Sequence, residues 1–148
     1  DIASIFAFDI LIQNVDRRIN KTSNILVNKQ DYFLIDHELT FNDPRVMLQS
    51  FQDKGMLSYT GKNHIFHKTL LNKKHKETLF ETFEEYLRLI DCRNFDSYSS
   101  QLNSYDHPTE IIDLIADYIT FVSKNHVHFR QLLLQVKAAG QMFRQPFF

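Results

Sequence analysis

Between Ile10 and Phe41 the chain carries two short apolar runs, Ile25–Val27 and Tyr32–Ile35, separated by Asn28-Lys29-Gln30-Asp31. Across most of the remaining chain the apolar residues recur at three- and four-residue intervals. This contrast constrains the fold more than any other feature. It predicts one β-hairpin set into a mainly α domain. With only 3 Gly and 3 Pro in 148 residues, the composition suits helices and leaves no material for a glycine-rich phosphate loop. The length predicts a single domain, 1–148, able to bury roughly two-thirds of its unfolded surface.

The helical expectations follow the apolar periodicity. Asp1 to Val15 reads as a helix with a stripe of Ile2, Ile5, Phe6, Asp9 and Ile10, and Asp1 suits the positive end of its dipole. Asn42-Asp43-Pro44 starts a second helix, which Gly55 ends. His64 to Leu71 is a short candidate, followed by the basic connection Asn72 to His75. Lys76 to Ile90 is amphipathic, with Leu79, Phe80, Phe83, Tyr86, Leu87 and Ile90 toward the core and Glu77, Glu81, Glu84, Glu85 and Arg88 toward solvent. Asp91 to His107 is polar with a brief helical pattern. A helix follows Pro108, Lys124-Asn125 breaks it, and a last helix ends at Gly140 before the apolar tail 140–148, which suits docking on the core, a cut or an interface.

Bulk properties exclude several classes. A net charge of −1 argues against a general nucleic-acid footprint. No apolar run approaches about 18 residues, so no membrane span is expected. The one cysteine, Cys92, permits neither an internal disulfide nor a cysteine zinc site, and it fits a reducing, cytoplasmic setting. His64 and His67 sit three apart but lack a further ligand nearby, so zinc is not expected.

The loops beside the hairpin hold the candidate chemistry. Asp16 is followed eight residues on by Asn24, then by the second strand, then by Asp36. Phosphoryl transfer requires such a set: a carboxylate for the attacking hydroxyl, and an amide and a second carboxylate for Mg²⁺. Each residue also has a plainer reading. Asp16 beside Arg17 and Arg18 suits a surface ion pair, Asp36 suits a cap after a buried strand, and Asp9 suits a partly exposed helix carboxylate. Ser58, Tyr59 and Thr60 read as polar loop residues with hydroxyls open to phosphorylation.

Phe8-Asp9, Asn14-Val15-Asp16-Arg17, Asn24-Ile25-Leu26 and Leu34-Ile35-Asp36-His37 occur in the order found in protein-kinase-like enzymes. The chain resembles the HipA-like bacterial kinases most and the phosphoinositide kinases more distantly. The resemblance implies the helical C-lobe of a kinase-like fold, with the hairpin carrying the catalytic and metal-binding loops. It implies ATP and Mg²⁺ as cofactors and a hydroxyl acceptor, a protein serine or threonine. By the same resemblance Asp16 is the base, and Arg17 braces the loop or meets a phosphate. Asn24 and Asp36 bind the metal and nucleotide, with Asn20 the fallback amide. His37 touches a phosphate or steers the loop, with a cap or surface role its plainer reading, and Asp9 is a buried brace. The interval from Asp16 to Asn24 is wider than is usual in kinases, which implies a longer loop. Nothing in the chain resembles an N-lobe. The chain also opens without Met inside a helical pattern, so a domain from a longer protein is expected, its N-lobe supplied by a further segment or by a partner polypeptide.

Overall fold

The computed structural model describes residues 2–21, 23–29, 31–72, 77–106 and 108–142, with 138–142 as backbone alone. Asp1, most of the basic connection and the tail beyond Met142 lie outside the described residues. The fold is mainly helical. Among the described residues, seven α-helices and one antiparallel hairpin run in the order α1 (Ile2–Leu11), β1 (Ile25–Val27), β2 (Tyr32–Leu34), α2 (Pro44–Lys54), α3 (His67–Asn72), α4 (Glu81–Leu89), α5 (Phe95–Asn103), α6 (Glu110–Lys124) and α7 (His126–Met142). In the hairpin Ile25 pairs with Leu34, Leu26 with Phe33 and Val27 with Tyr32.

α1 is the central helix. Ala3, Ile5, Phe6, Ala7, Asp9, Ile10 and Leu11 are all buried, so the stripe of Ile5, Phe6, Asp9 and Ile10 and the flanking Ala3, Ala7 and Leu11 are enclosed together. It ends four residues earlier than expected. The Asn14 N–H donates to the Asp9 carbonyl at 2.8 Å and the Gln13 N–H to the Ile10 carbonyl at 3.3 Å. Gln13 is left-handed, φ 54°. This six-to-one and five-to-two pair closes the helix as a Schellman turn, and residues 12–16 leave as a loop rather than a further turn.

The other helices wrap α1. α2 begins as expected: the Asp43 side chain accepts from the Arg45 and Val46 N–H groups, and Gly55, φ 55°, closes the C-terminus. Phe51 of α2 meets Phe121 of α6 edge to face at 5.9 Å, and Phe83 of α4 meets Phe129 of α7 at 6.2 Å. The expected helix at 76–90 is a 3₁₀ turn, Glu77–Phe80, followed by α4. Phe80, Phe83 and Leu87 are core, but Tyr86 is 62% exposed at the rim of an apolar groove shared with Tyr32 and Leu34. Glu84, placed in solvent by the periodicity, bonds His126 Nδ1 at 2.7 Å and pairs with Arg130 Nε at 2.8 Å, tying α4 to α7. α6 and α7 part at Asn125, as expected. Among the described residues no helix is long and apolar enough to cross a membrane.

One polar link joins the two ends of the chain's core. The buried Tyr118 hydroxyl on α6 donates to the Leu11 carbonyl at 3.0 Å. Burial pushes the Tyr118 pKa above its ordinary 10.0. The folded state therefore holds this proton more tightly than the unfolded chain does. That contribution is complete below pH 10 and is lost as pH rises further. Tyr118→Phe is expected to lower neutral-pH stability by about 1–3 kcal/mol, because it orphans a buried carbonyl. Urea denaturation across pH should also show a shallower decline above pH 10 than the parent chain.

Candidate active site

Asp9 anchors the site from below. Fully buried on α1, it accepts three hydrogen bonds: from Asn14 Nδ2 at 3.0 Å, from Arg17 Nε at 2.6 Å and from His64 Nε2 at 2.8 Å. His64 Nδ1 accepts from the Phe66 N–H at 3.1 Å. The ring proton therefore sits on Nε2 and faces the carboxylate. Of the two readings open for Asp9, the structure has the buried brace. His64 is not free for metal, since both ring nitrogens are engaged.

Arg17 extends this hub into the loops. Its side chain is 0% exposed. Beyond Asp9, its Nη1 donates to the Ser23 carbonyl at 2.9 Å and to the Asn24 carbonyl, and Nη2 lies 3.4 Å from His37 Nε2. Of the two roles open for Arg17, brace or phosphate contact, this geometry supports the brace. His37 is half-buried, edge to face on Phe8 at 6.0 Å. Asn14 continues the chain of contacts, its Oδ1 accepting from the Asp16 N–H at 3.1 Å in an Asx turn.

The three candidate residues meet above this base. Asn24 Nδ2 lies 3.3 Å from Asp16 Oδ2 and 3.2 Å from Asp36 Oδ2. Asn24 is buried, Asp16 is half-buried and Asp36 is exposed. Asn20, the fallback amide, is exposed and takes no part in these contacts. Asn24 and Asp36 face each other at the base of the hairpin, before β1 and after β2, and the Ile35 N–H donates to the Asn24 carbonyl at 3.1 Å. Both are left-handed, φ 51° and 58°. Asn and Asp tolerate that region better than other side chains do, and such residues gather at functional sites.

The donor set fits a hard cation. Mg²⁺ is commonly held by one or two carboxylates together with phosphate and water oxygens. Among the described residues no three His, Cys, Asp or Glu side chains converge, so a third protein donor has to be the Asn24 amide. It presents Nδ2 to both carboxylates, and a half-turn of its last torsion presents Oδ1 instead.

A return segment seals the loop. The Ile19 N–H donates to the Asn63 carbonyl at 2.9 Å and the Ile65 N–H to the Arg17 carbonyl at 3.2 Å, with Arg18 and His64 bridged between them. Gln13 donates to the exposed Ser58 hydroxyl. Burial, and then the Asp9 charge, push the Tyr59 pKa up, with Arg18 opposing. Gly61, φ 60°, lets this segment approach α1, since a Cβ there would stand 2.6 Å from Ile10 Cδ1 and 2.9 Å from Phe6 Cε2. Gly61→Ala is expected to cost roughly 2–4 kcal/mol in urea denaturation, from left-handed strain and overpacking together.

Sequence reasoning did not find the role of His64, which lies 55 residues from Asp9. Nor did it find the contact of Lys21 with Asp16, whereas the ion pair of Asp16 with Arg18 was expected and is present as a long 3.9 Å contact. Compared with known proteins, the chain matches no family model, no curated relative and no solved structure.

Proposed function

We propose that the chain is the C-lobe of a HipA-like, ATP- and Mg²⁺-dependent kinase that transfers a γ-phosphoryl group to a hydroxyl acceptor, most simply a protein serine or threonine. The observation that carries this reading is the meeting of Asp16 and Asp36 on the Asn24 amide. Asn24 and Asp36 would hold Mg²⁺, with His37 next to them. Bound Mg²⁺ would supply neutralisation of phosphate charge. Asp16 orients the acceptor hydroxyl and takes its proton. Arg17 keeps the carbonyls of Ser23 and Asn24, and hence the amide, in place from within the core.

A nucleotide needs a second wall, and the proposal assigns it to an N-lobe or a partner polypeptide. The solvent-facing apolar residues Leu26, Val27 and Phe33 on the hairpin support such a cover. The same residues favour a second reading, a lobe that binds a partner without catalysis. A cytoplasmic setting belongs to the proposal, resting on the single free thiol.

Phosphotransfer by the intact protein separates the two readings. At ordinary Mg²⁺ concentration, Asp16→Asn and Asp36→Asn should each abolish transfer while the fold persists. Undiminished transfer by either variant overturns the kinase reading.

A further inference from the structure

The two oxygens of Asp16 have different neighbours. Oδ2 faces the Asn24 amide. Oδ1 meets Lys21 Nζ at 3.2 Å and stands 3.9 Å from Arg18 Nη2. The backbone brings both cations there. The Arg18 N–H donates to the Asp16 carbonyl at 2.8 Å in a tight turn, and Asn20, φ 71°, turns the chain back so that Lys21 returns to Asp16. The cation side chains are open, 41% and 53% exposed, against 16% for Asp16. Arg18 also keeps an enclosed Nε with no hydrogen-bond partner among the described residues.

We propose that Arg18 and Lys21 form a binding site for a phosphate-class anion, and that Asp16 occupies this site until the anion arrives. The anion takes both cations and leaves Asp16 Oδ1 free. The magnitudes favour this exchange. Exposed ion pairs contribute about 0–1 kcal/mol, and the Arg18 contact is longer than a hydrogen bond. A phosphate offers several oxygens to two cations, in charge-assisted bonds roughly twice as strong as neutral ones. The consequence for transfer rests on the kinase reading. The acceptor hydroxyl gives its proton to the freed Oδ1, its oxygen forms a bond to the γ-phosphorus, and the bond from that phosphorus to the bridging oxygen breaks with its electron pair leaving on ADP. The anion site itself does not depend on that reading. Its phosphate comes from the nucleotide or from a phosphorylated acceptor.

The test is a titration of inorganic phosphate into the chain at low ionic strength without Mg²⁺, followed through the backbone amides of Arg18 and Lys21 by NMR. Saturable shifts at both are expected. Lys21→Met should weaken binding by about 2- to 5-fold, and Asp16→Asn should tighten it by a similar factor, the resident competitor being gone. Unchanged affinity in Lys21→Met, or unchanged or weaker affinity in Asp16→Asn, overturns the exchange. ATP and a phosphoserine peptide, titrated in turn, identify the source as the ligand whose affinity falls in Lys21→Met. A fall with neither also overturns the proposal. Absence of an anion site leaves the kinase reading standing. Anion binding alongside undiminished transfer by Asp16→Asn removes the kinase reading alone.

Discussion

Asp16→Asn is expected to lower phosphotransfer by roughly 10²–10⁴-fold, the usual contribution of a positioned general base. The substitution keeps the shape of the side chain and an oxygen for the Asn24 amide, which lies 3.3 Å from Oδ2. What it removes is the capacity to take a proton, together with two exposed ion pairs. Those pairs contribute about 0–1 kcal/mol, so urea denaturation should barely change. Asp36→Asn should differ in kind. Asp36 is exposed and touches the amide from the far side, so its loss should raise the Mg²⁺ concentration needed for transfer, with partial recovery at high Mg²⁺. If both variants lost activity through unfolding, the denaturation midpoints would fall together with the rates.

The largest expected effect on stability is at Asp9. Asp9→Ala removes the common acceptor of Asn14, Arg17 and His64 and leaves a guanidinium in the core without its anion. Breaking one side of such a buried pair costs about 3–5 kcal/mol, a large part of a typical total of roughly 5–15 kcal/mol. The informative comparison is a cycle with Arg17→Met. The double variant Asp9→Ala with Arg17→Met should be less destabilised than the sum of the single changes, because no uncompensated charge remains buried. Strict additivity would mean that the two side chains do not act as a pair.

Much of the architecture was readable because it is local. Pro44 after Asp43, the left-handed Gly55 and the break at Asn125 are each decided by a few neighbouring residues. The hairpin was placed to within one residue, since two short apolar runs around a polar turn mark it. The end of α1 was not readable. Its Schellman turn uses Gln13 where glycine is the common signal, and Ile12 beyond it is still buried, so the apolar pattern runs past the last helical turn. The burial of Arg17 was hidden for a different reason. Arginine is almost always exposed, and only a carboxylate on another element and a histidine from a distant segment make its enclosure tolerable. In the same way the Glu84 pairs with His126 and Arg130 cross between helices, and periodicity within one helix cannot foresee them. The candidate site lay between these extremes. The order of Asp16, Asn24 and Asp36 was visible in the chain, and so was Arg18 beside Asp16, but the contact of Lys21 was not, because a left-handed Asn20 was needed to turn it back.

The hairpin gives the molecule a tolerant address beside an intolerant one. Asn24 and Asp36 sit at its base, joined by the Ile35 N–H to Asn24 carbonyl bond. Its tip is closed separately, by Asn28 donating to the Asp31 carbonyl and by Asp31 donating to Asn28 Oδ1. Residues added at the tip lengthen the ribbon outward without altering the spacing at the base, whereas one residue added within either strand turns every side chain beyond it to the opposite face. A fluorophore or affinity handle can therefore be threaded into the Asn28–Asp31 turn, giving a reporter one strand length away from the site.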